Sequence, residues 1–196
     1  MASWCENTFG ELYWIYHNTE WGRPIHSDQK HFEYLMLECL QCGLNWLTIL
    51  KKRHAFNIAF NNFNPQKVAN ITPNDIEQII KIPNMLKSPK KIKAIINNAK
   101  CFLKIADEFG SFDKYIWSYT EDHVYVYKSH ILEEIPPNNA LSDKIAKDLK
   151  SRGFIFVGSI TVYAYLQAVG IICDHNKDCP IFKEVLDNYR HKIFDI

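Results

Sequence analysis

Three times between Asn64 and Pro89 a helix-capping residue is followed at once by proline: Asn64-Pro65, Thr72-Pro73 and Ser88-Pro89. Each first residue has a side-chain oxygen that can accept from the backbone N–H groups a helix start leaves unpaired. A proline at the next position gives up only a donor that would have no partner there. Asp75 stands where it can assist Thr72 in capping. Glycines mark the stops: Gly43, Gly110, Gly153 and Gly170 each close a run with a helical pattern. In "SDQKHFEYLMLECLQCG", Ser27 is the cap, and Phe32, Leu35, Met36, Cys39 and Leu40 recur at helical spacing. "LNWLTILKKRHAFNIAF" reads as the next helix, and "SFDKYIWSY", "LSDKIAKDLKSRG" and "SITVYAYLQAVG" as later ones. Period-two alternation is weak except at "HVYVYKS", which reads as extended. The expectation is an all-α domain of roughly eight to ten helices.

The 196 residues are read as one domain of two interleaved helical lobes, with 47% hydrophobic residues, as in a globular and not a disordered chain. The segment after Cys179, about residues 180–196, reads as an extra C-terminal helix or tail started by Pro180. Six cysteines are too few for a disulfide scaffold. Cys39, Cys42, Cys101 and Cys173 sit among apolar residues, as buried free thiols do. "MASWCENTFGE" has no basic stretch followed by an apolar run, so no secretory signal is expected. No segment approaches the length of apolar chain that spans a membrane. The expectation is a cytoplasmic, monomeric protein in a reducing compartment.

Charge is unevenly spread. The formal net charge is +1, yet Lys81 to Lys104 holds seven lysines and no Asp or Glu. "KKR" at Lys51 to Arg53 adds a second basic knot. A solvated helix face and a surface for a polyanion such as nucleic acid both fit this pattern. Within it, "KIPNMLKSP" separates two helices, and Ser88-Pro89 opens the second. Free N–H groups there, backed by Lys87, Lys90 and Lys91, would suit a DNA phosphate. The layout is similar to a helix-hairpin-helix, though this hairpin lacks the usual glycines.

Two constellations carry chemistry. His175 and Cys179, in "ICDHNKDC", are four residues apart, a spacing that zinc sites use. Cys5 and His17 are the only Cys–His pair in the opening 25 residues. Together the four would make a closed Cys2His2 site stapling the two ends of the chain. The other reading is a stray thiol in a loop, a polar helix face and a frayed end. The second constellation is Glu38, on the edge of the apolar stripe of its helix. Pairing with a lysine or capping a helix would explain it. Tyr13, Tyr16, Trp14, Trp21 and Trp46 supply another reading, an aromatic pocket whose carboxylate holds a planar cation bearing N–H groups.

"LYWIYHNTEWGRP", "LECLQCGLNWLTILKKR", "RGFIFVGSITVYAYLQAVGIICDH" and Cys179 resemble, in order along the chain, the bacterial 3-methyladenine DNA glycosylase I family. The resemblance runs from about Cys5 to Cys179. It implies a helix-hairpin-helix fold and monofunctional excision of 3-methyladenine from alkylated duplex DNA, without lyase activity. It implies one structural zinc, Zn2+, on Cys5, His17, His175 and Cys179. It assigns Glu38 as the catalytic carboxylate, with Tyr13, Tyr16 and Trp46 as base-binding residues and Trp21 nearby. Leu44 matches the residue that fills the gap left in the duplex.

This chain also departs from the family pattern. Asn7 stands where an aromatic residue is usual, and Phe9 and Trp4 are the candidates to replace it. Cys39, Cys42, Asn45 and Cys173 replace common family residues. These departures leave two rival readings: a glycosylase of the same fold with altered lesion choice, and a silent DNA-binding protein that keeps the zinc. Methylation at N3 makes adenine cationic and weakens its glycosidic bond. Such an enzyme must chiefly unstack the nucleotide and bind the charged base.

Overall fold

The computed structural model describes Cys5, residues 10–128 and residues 135–194. Ten α-helices occur among the described residues: α1 Glu11–Thr19, α2 Asp28–Gln41, α3 Trp46–Ala59, α4 Pro65–Ala69, α5 Pro73–Ile79, α6 Pro89–Phe109, α7 Phe112–Ser118, α8 Ala140–Ser151, α9 Ser159–Ala168 and α10 Pro180–Asn188. The caps are where the Ser/Thr/Asn-Pro pairs predict them. Asn64, Thr72 and Ser88 each accept a backbone N–H at N3, and Thr72 with Asp75 forms a capping box. Ser27 holds the N-cap position of α2, but its side chain makes no capping bond.

The helix α2 is the central strut. Every residue from His31 to Leu40 is buried, which a helix surrounded by others requires. Around it pack α3, α6, α7 and α9. Phe32 meets Phe102 of α6 at 5.2 Å between ring centroids, and Phe102 stacks on Phe112 of α7 at 4.1 Å. Helix α6 turns Ile92, Ile95, Ala99, Phe102 and Ile105 inward. Lys90, Lys93, Lys100 and Lys104 stay exposed on its other side.

The expected all-α fold needs one correction. Val124–Tyr127 is the strand β1, and His191–Phe194 is a second strand, β2, paired with it in parallel. The C-terminal segment is therefore a helix as far as Asn188 and a strand beyond it. The other side of β1 meets the chain before His175: the Tyr125 N–H donates to the Ile171 carbonyl at 2.8 Å, and the Cys173 N–H to the Tyr125 carbonyl at 2.9 Å. Strand β1 thus locks the approach to His175. No described helix is long and apolar enough to cross a membrane.

Candidate active site and metal cluster

Tyr16, Glu38 and Trp46 come from α1, α2 and α3, and are only 2%, 6% and 4% exposed. The Tyr16 and Trp46 rings meet at 5.3 Å, tilted by 53°. The Tyr16 hydroxyl, Glu38 Oε2 and Trp46 Nε1 are all buried and have no hydrogen-bond partner. Leaving one such group unpaired costs about 1–3 kcal/mol. Only five buried side-chain N or O atoms among the described residues are unpaired in this way, and three of them are here. An arrangement of one acceptor, one phenol and one indole N–H left unsatisfied together is a template for a ligand.

Burial alone pushes the Glu38 carboxyl up to about 8. Burial, then the acidic neighbours Tyr34, Glu38 and Glu20, hold the Tyr16 phenol well above its usual value. In the free protein near neutral pH Glu38 therefore keeps its proton, and a cationic ligand restores the charged form. The native pKa exceeds the usual 4.5, so the folded state holds the extra proton between the two values, and stability falls as pH rises through about 8. Glu38→Gln removes this titration. Melting curves across the pH range should show the variant more stable than the parent at high pH, by on the order of a few kcal/mol, with the gap closing in acid.

Tyr13 lies on α1, one turn before Tyr16. Its hydroxyl accepts the Leu47 N–H at 3.1 Å and so ties α1 to the first turn of α3. Trp21 packs on the histidines of the Cys/His group, with its ring edge-on to His175 at 4.6 Å and 6.0 Å from His17. Leu44 is 38% exposed in the turn between α2 and α3. Gly43, just before it, has φ +77 with open space around it. Trp4, Asn7 and Phe9 lie outside the described residues.

The Cys/His constellation assembles. One ligand atom from each of Cys5, His17, His175 and Cys179 lies within 4.8 Å of the others. Cys5 Sγ is 3.6 Å from His175 Nδ1, and Cys179 Sγ is 3.7 Å from both His175 Nδ1 and His17 Nε2. Ligands around a tetrahedral zinc stand about 3.5 Å apart, given the usual bond lengths. The remaining ring nitrogens have fixed acceptors: His17 Nδ1 faces Asn18 Oδ1 at 2.9 Å, and His175 Nε2 faces the Trp21 carbonyl at 3.2 Å. Such contacts select the tautomer a metal needs. Burial lowers His17 and takes His175 to about 3, keeping both imidazoles neutral. The residues thus fit a metal ion. Asp174, next to His175, is held by the Tyr163 hydroxyl at 2.7 Å and Gln167 Nε2 at 2.8 Å. Gly22 leaves the imidazole its space, since a Cβ there would come 2.2 Å from His175 Nε2.

The basic segment divides. Lys87 and Lys90 are exposed beside the hairpin between α5 and α6. Asn84 takes φ 63 in the turn, the left-handed conformation that a glycine would otherwise supply. Lys91 behaves differently from the phosphate ligand its position predicts. Its ammonium donates to the Leu40 and Cys42 carbonyls at 2.6 and 2.7 Å. The "KKR" knot is also largely occupied. Arg53 bridges Glu20 and Glu33, and Lys52 donates to the Asn84 carbonyl at 2.7 Å. Sequence reading missed these ties because a lysine count does not tell a carbonyl cap from a phosphate contact.

A mainly helical chain with a buried, half-satisfied polar and aromatic cluster and a lysine-flanked hairpin has the makeup of a DNA glycosylase. The family described as methyladenine glycosylase matches residues 4–183, so the chain belongs to that family. The DNA-3-methyladenine glycosylase of Haemophilus influenzae is 38% identical over 86% of this chain and 91% of its own length. DNA-3-methyladenine glycosylase 1 of Escherichia coli is 38% identical over 86% and 90%. Among solved structures, a Tyr-to-Phe variant of a 3-methyladenine DNA glycosylase I in complex with 3-methyladenine superposes with a TM-score of 0.83 at 38% identity, covering 89% of this chain and 94% of that one. The Staphylococcus aureus enzyme gives 0.83 at 39% identity, covering 88% and 92%.

Proposed function

We propose that the protein is a DNA repair glycosylase that flips 3-methyladenine out of alkylated duplex DNA and hydrolyses its N-glycosidic bond, leaving the strand uncut. The observation that carries this reading is the trio of unpaired polar atoms on the buried side chains of Tyr16, Glu38 and Trp46. Glu38 accepts from the exocyclic amine and balances the charge of the base. Tyr16 bonds the base edge and Trp46 stacks, a contact worth roughly 1–3 kcal/mol. Tyr13 completes the wall. Trp21, packed on His175, holds the cluster side of the pocket in place. The lesion is already cationic, so no acid is needed to protonate the leaving base. Leu44 enters the gap that the flipped nucleotide leaves. Lys91 is engaged by carbonyls and provides no free amine for a lyase step. Titrating free 3-methyladenine should alter tryptophan fluorescence through Trp46, while adenine at the same concentration should not. No response to either would contradict the reading.

The metal on Cys5, His17, His175 and Cys179 is zinc in this reading, one per chain and purely structural. With four protein ligands there is no open position, so its contribution is to hold the two ends of the chain together.

Phosphates of the lesion strand bind at the α6 N-terminus, where Ser88 caps and Lys87 and Lys90 flank. Lys87→Glu with Lys90→Glu should weaken binding to unrelated duplexes alike and flatten its dependence on salt. Unchanged affinity and salt slope would reduce the segment to a solvated face.

A further inference from the structure

Lys91 is the one lysine between Lys81 and Lys104 that is half-buried, the others being exposed. Its backbone N–H lies in the first turn of α6, 3.4 Å from the capping Ser88 hydroxyl. Its ammonium crosses to the end of α2 and donates to the carbonyls of Leu40 and Cys42. The Leu40 carbonyl belongs to the last turn of the helix that carries Glu38. Cys42 is the C-cap of that helix, and its carbonyl stands at the start of the turn that carries Leu44 and leads to Trp46. Neighbouring groups there are also fixed: the Gln41 carbonyl accepts the Leu44 N–H at 2.6 Å, and Cys42 Sγ lies 3.8 Å from the Glu38 carbonyl. A second lysine ties α3, the helix that carries Trp46, to the hairpin: Lys52 donates to the Asn84 carbonyl.

On the glycosylase reading above, we propose that Lys91 is a positioning residue for base excision. It sets the distance and orientation between the phosphate-binding hairpin and the base pocket. The backbone of a flipped nucleotide is gripped at one end of Lys91, and its base is received at the other. With the ammonium gone, each part still binds its own ligand, but a base anchored through its phosphates reaches Glu38 and Trp46 out of register.

Three measurements on full-length Lys91→Met test this. Affinity for undamaged duplex, with its salt slope, and affinity for free 3-methyladenine should each stay within about twofold of the parent. The single-turnover rate of 3-methyladenine release from duplex, at saturating enzyme, should fall at least tenfold. Lys91→Arg, which keeps the charge and the donors, should recover part of that rate. If Lys91→Met does not fold, Lys91→Gln takes its place in the same three assays. An unchanged release rate would overturn the proposal, leaving Lys91 as a plain helix cap. So would a drop in duplex affinity with a shallower salt slope, since Lys91 would then be a phosphate ligand. Failure of the glycosylase reading is separate, because the parent protein would then release no base.

Discussion

Glu38→Gln is expected to weaken binding of free 3-methyladenine by roughly tenfold to a hundredfold. The exchange keeps the size of the side chain but removes the carboxyl's capacity to ionise against the base and puts a donor amide where a carboxylate oxygen would accept. A hydrogen bond to a charged group is worth about 1.5–3 kcal/mol, which sets that range. The effect is concentrated because Glu38 Oε2 has no protein partner to compete with the base. Affinity for undamaged duplex should barely change, since Lys87 and Lys90 lie on the hairpin and not in the pocket. Fluorescence titration of parent and variant decides it. Equal base affinities with equal excision rates would make Glu38 a structural residue.

Cys179→Ser is expected to lower the melting temperature by about 10 °C, with loss of bound zinc on metal analysis. The reason is topological. Helix α1 bears His17, while Cys179 and His175 lie far along the chain, beyond α9. On the zinc reading, losing one ligand of a closed site releases that tie and leaves two buried imidazoles and the half-buried Cys5 without their ion. Tyr16 is the neighbour of His17, so the pocket shares the staple. It has further support from the Tyr13–Leu47 hydrogen bond and the Tyr16–Trp46 contact. Activity measured at low temperature should therefore fall less than stability does. A variant that melts like the parent and still retains one zinc would contradict this assignment.

What was legible in the sequence was local. Caps such as Thr72 with Asp75 and stops such as Gly110 act through neighbouring backbone, so a short window reveals them. The strand β2 was not legible: four residues of alternating exposure pair in parallel with a segment far back in the chain. Glu38 stood out because a carboxylate on an apolar stripe is costly. The cluster stood out because Cys and His at that spacing suggest metal. The cross-chain bonds of Lys91, Lys52 and Arg53 had no such signature. A charged side chain looks the same in sequence whether it faces a phosphate, a carbonyl or a carboxylate. Trp21 illustrates direction in the same way, since it is close to Tyr16 in sequence while its ring packs on His175.

The most direct measurement of the central claim is the base released from duplex DNA treated with a methylating agent. Free 3-methyladenine is expected from the parent protein, with strands that stay intact until the abasic sites are cleaved chemically and a much slower release from Glu38→Gln. Release of a different base, or of none, would contradict it.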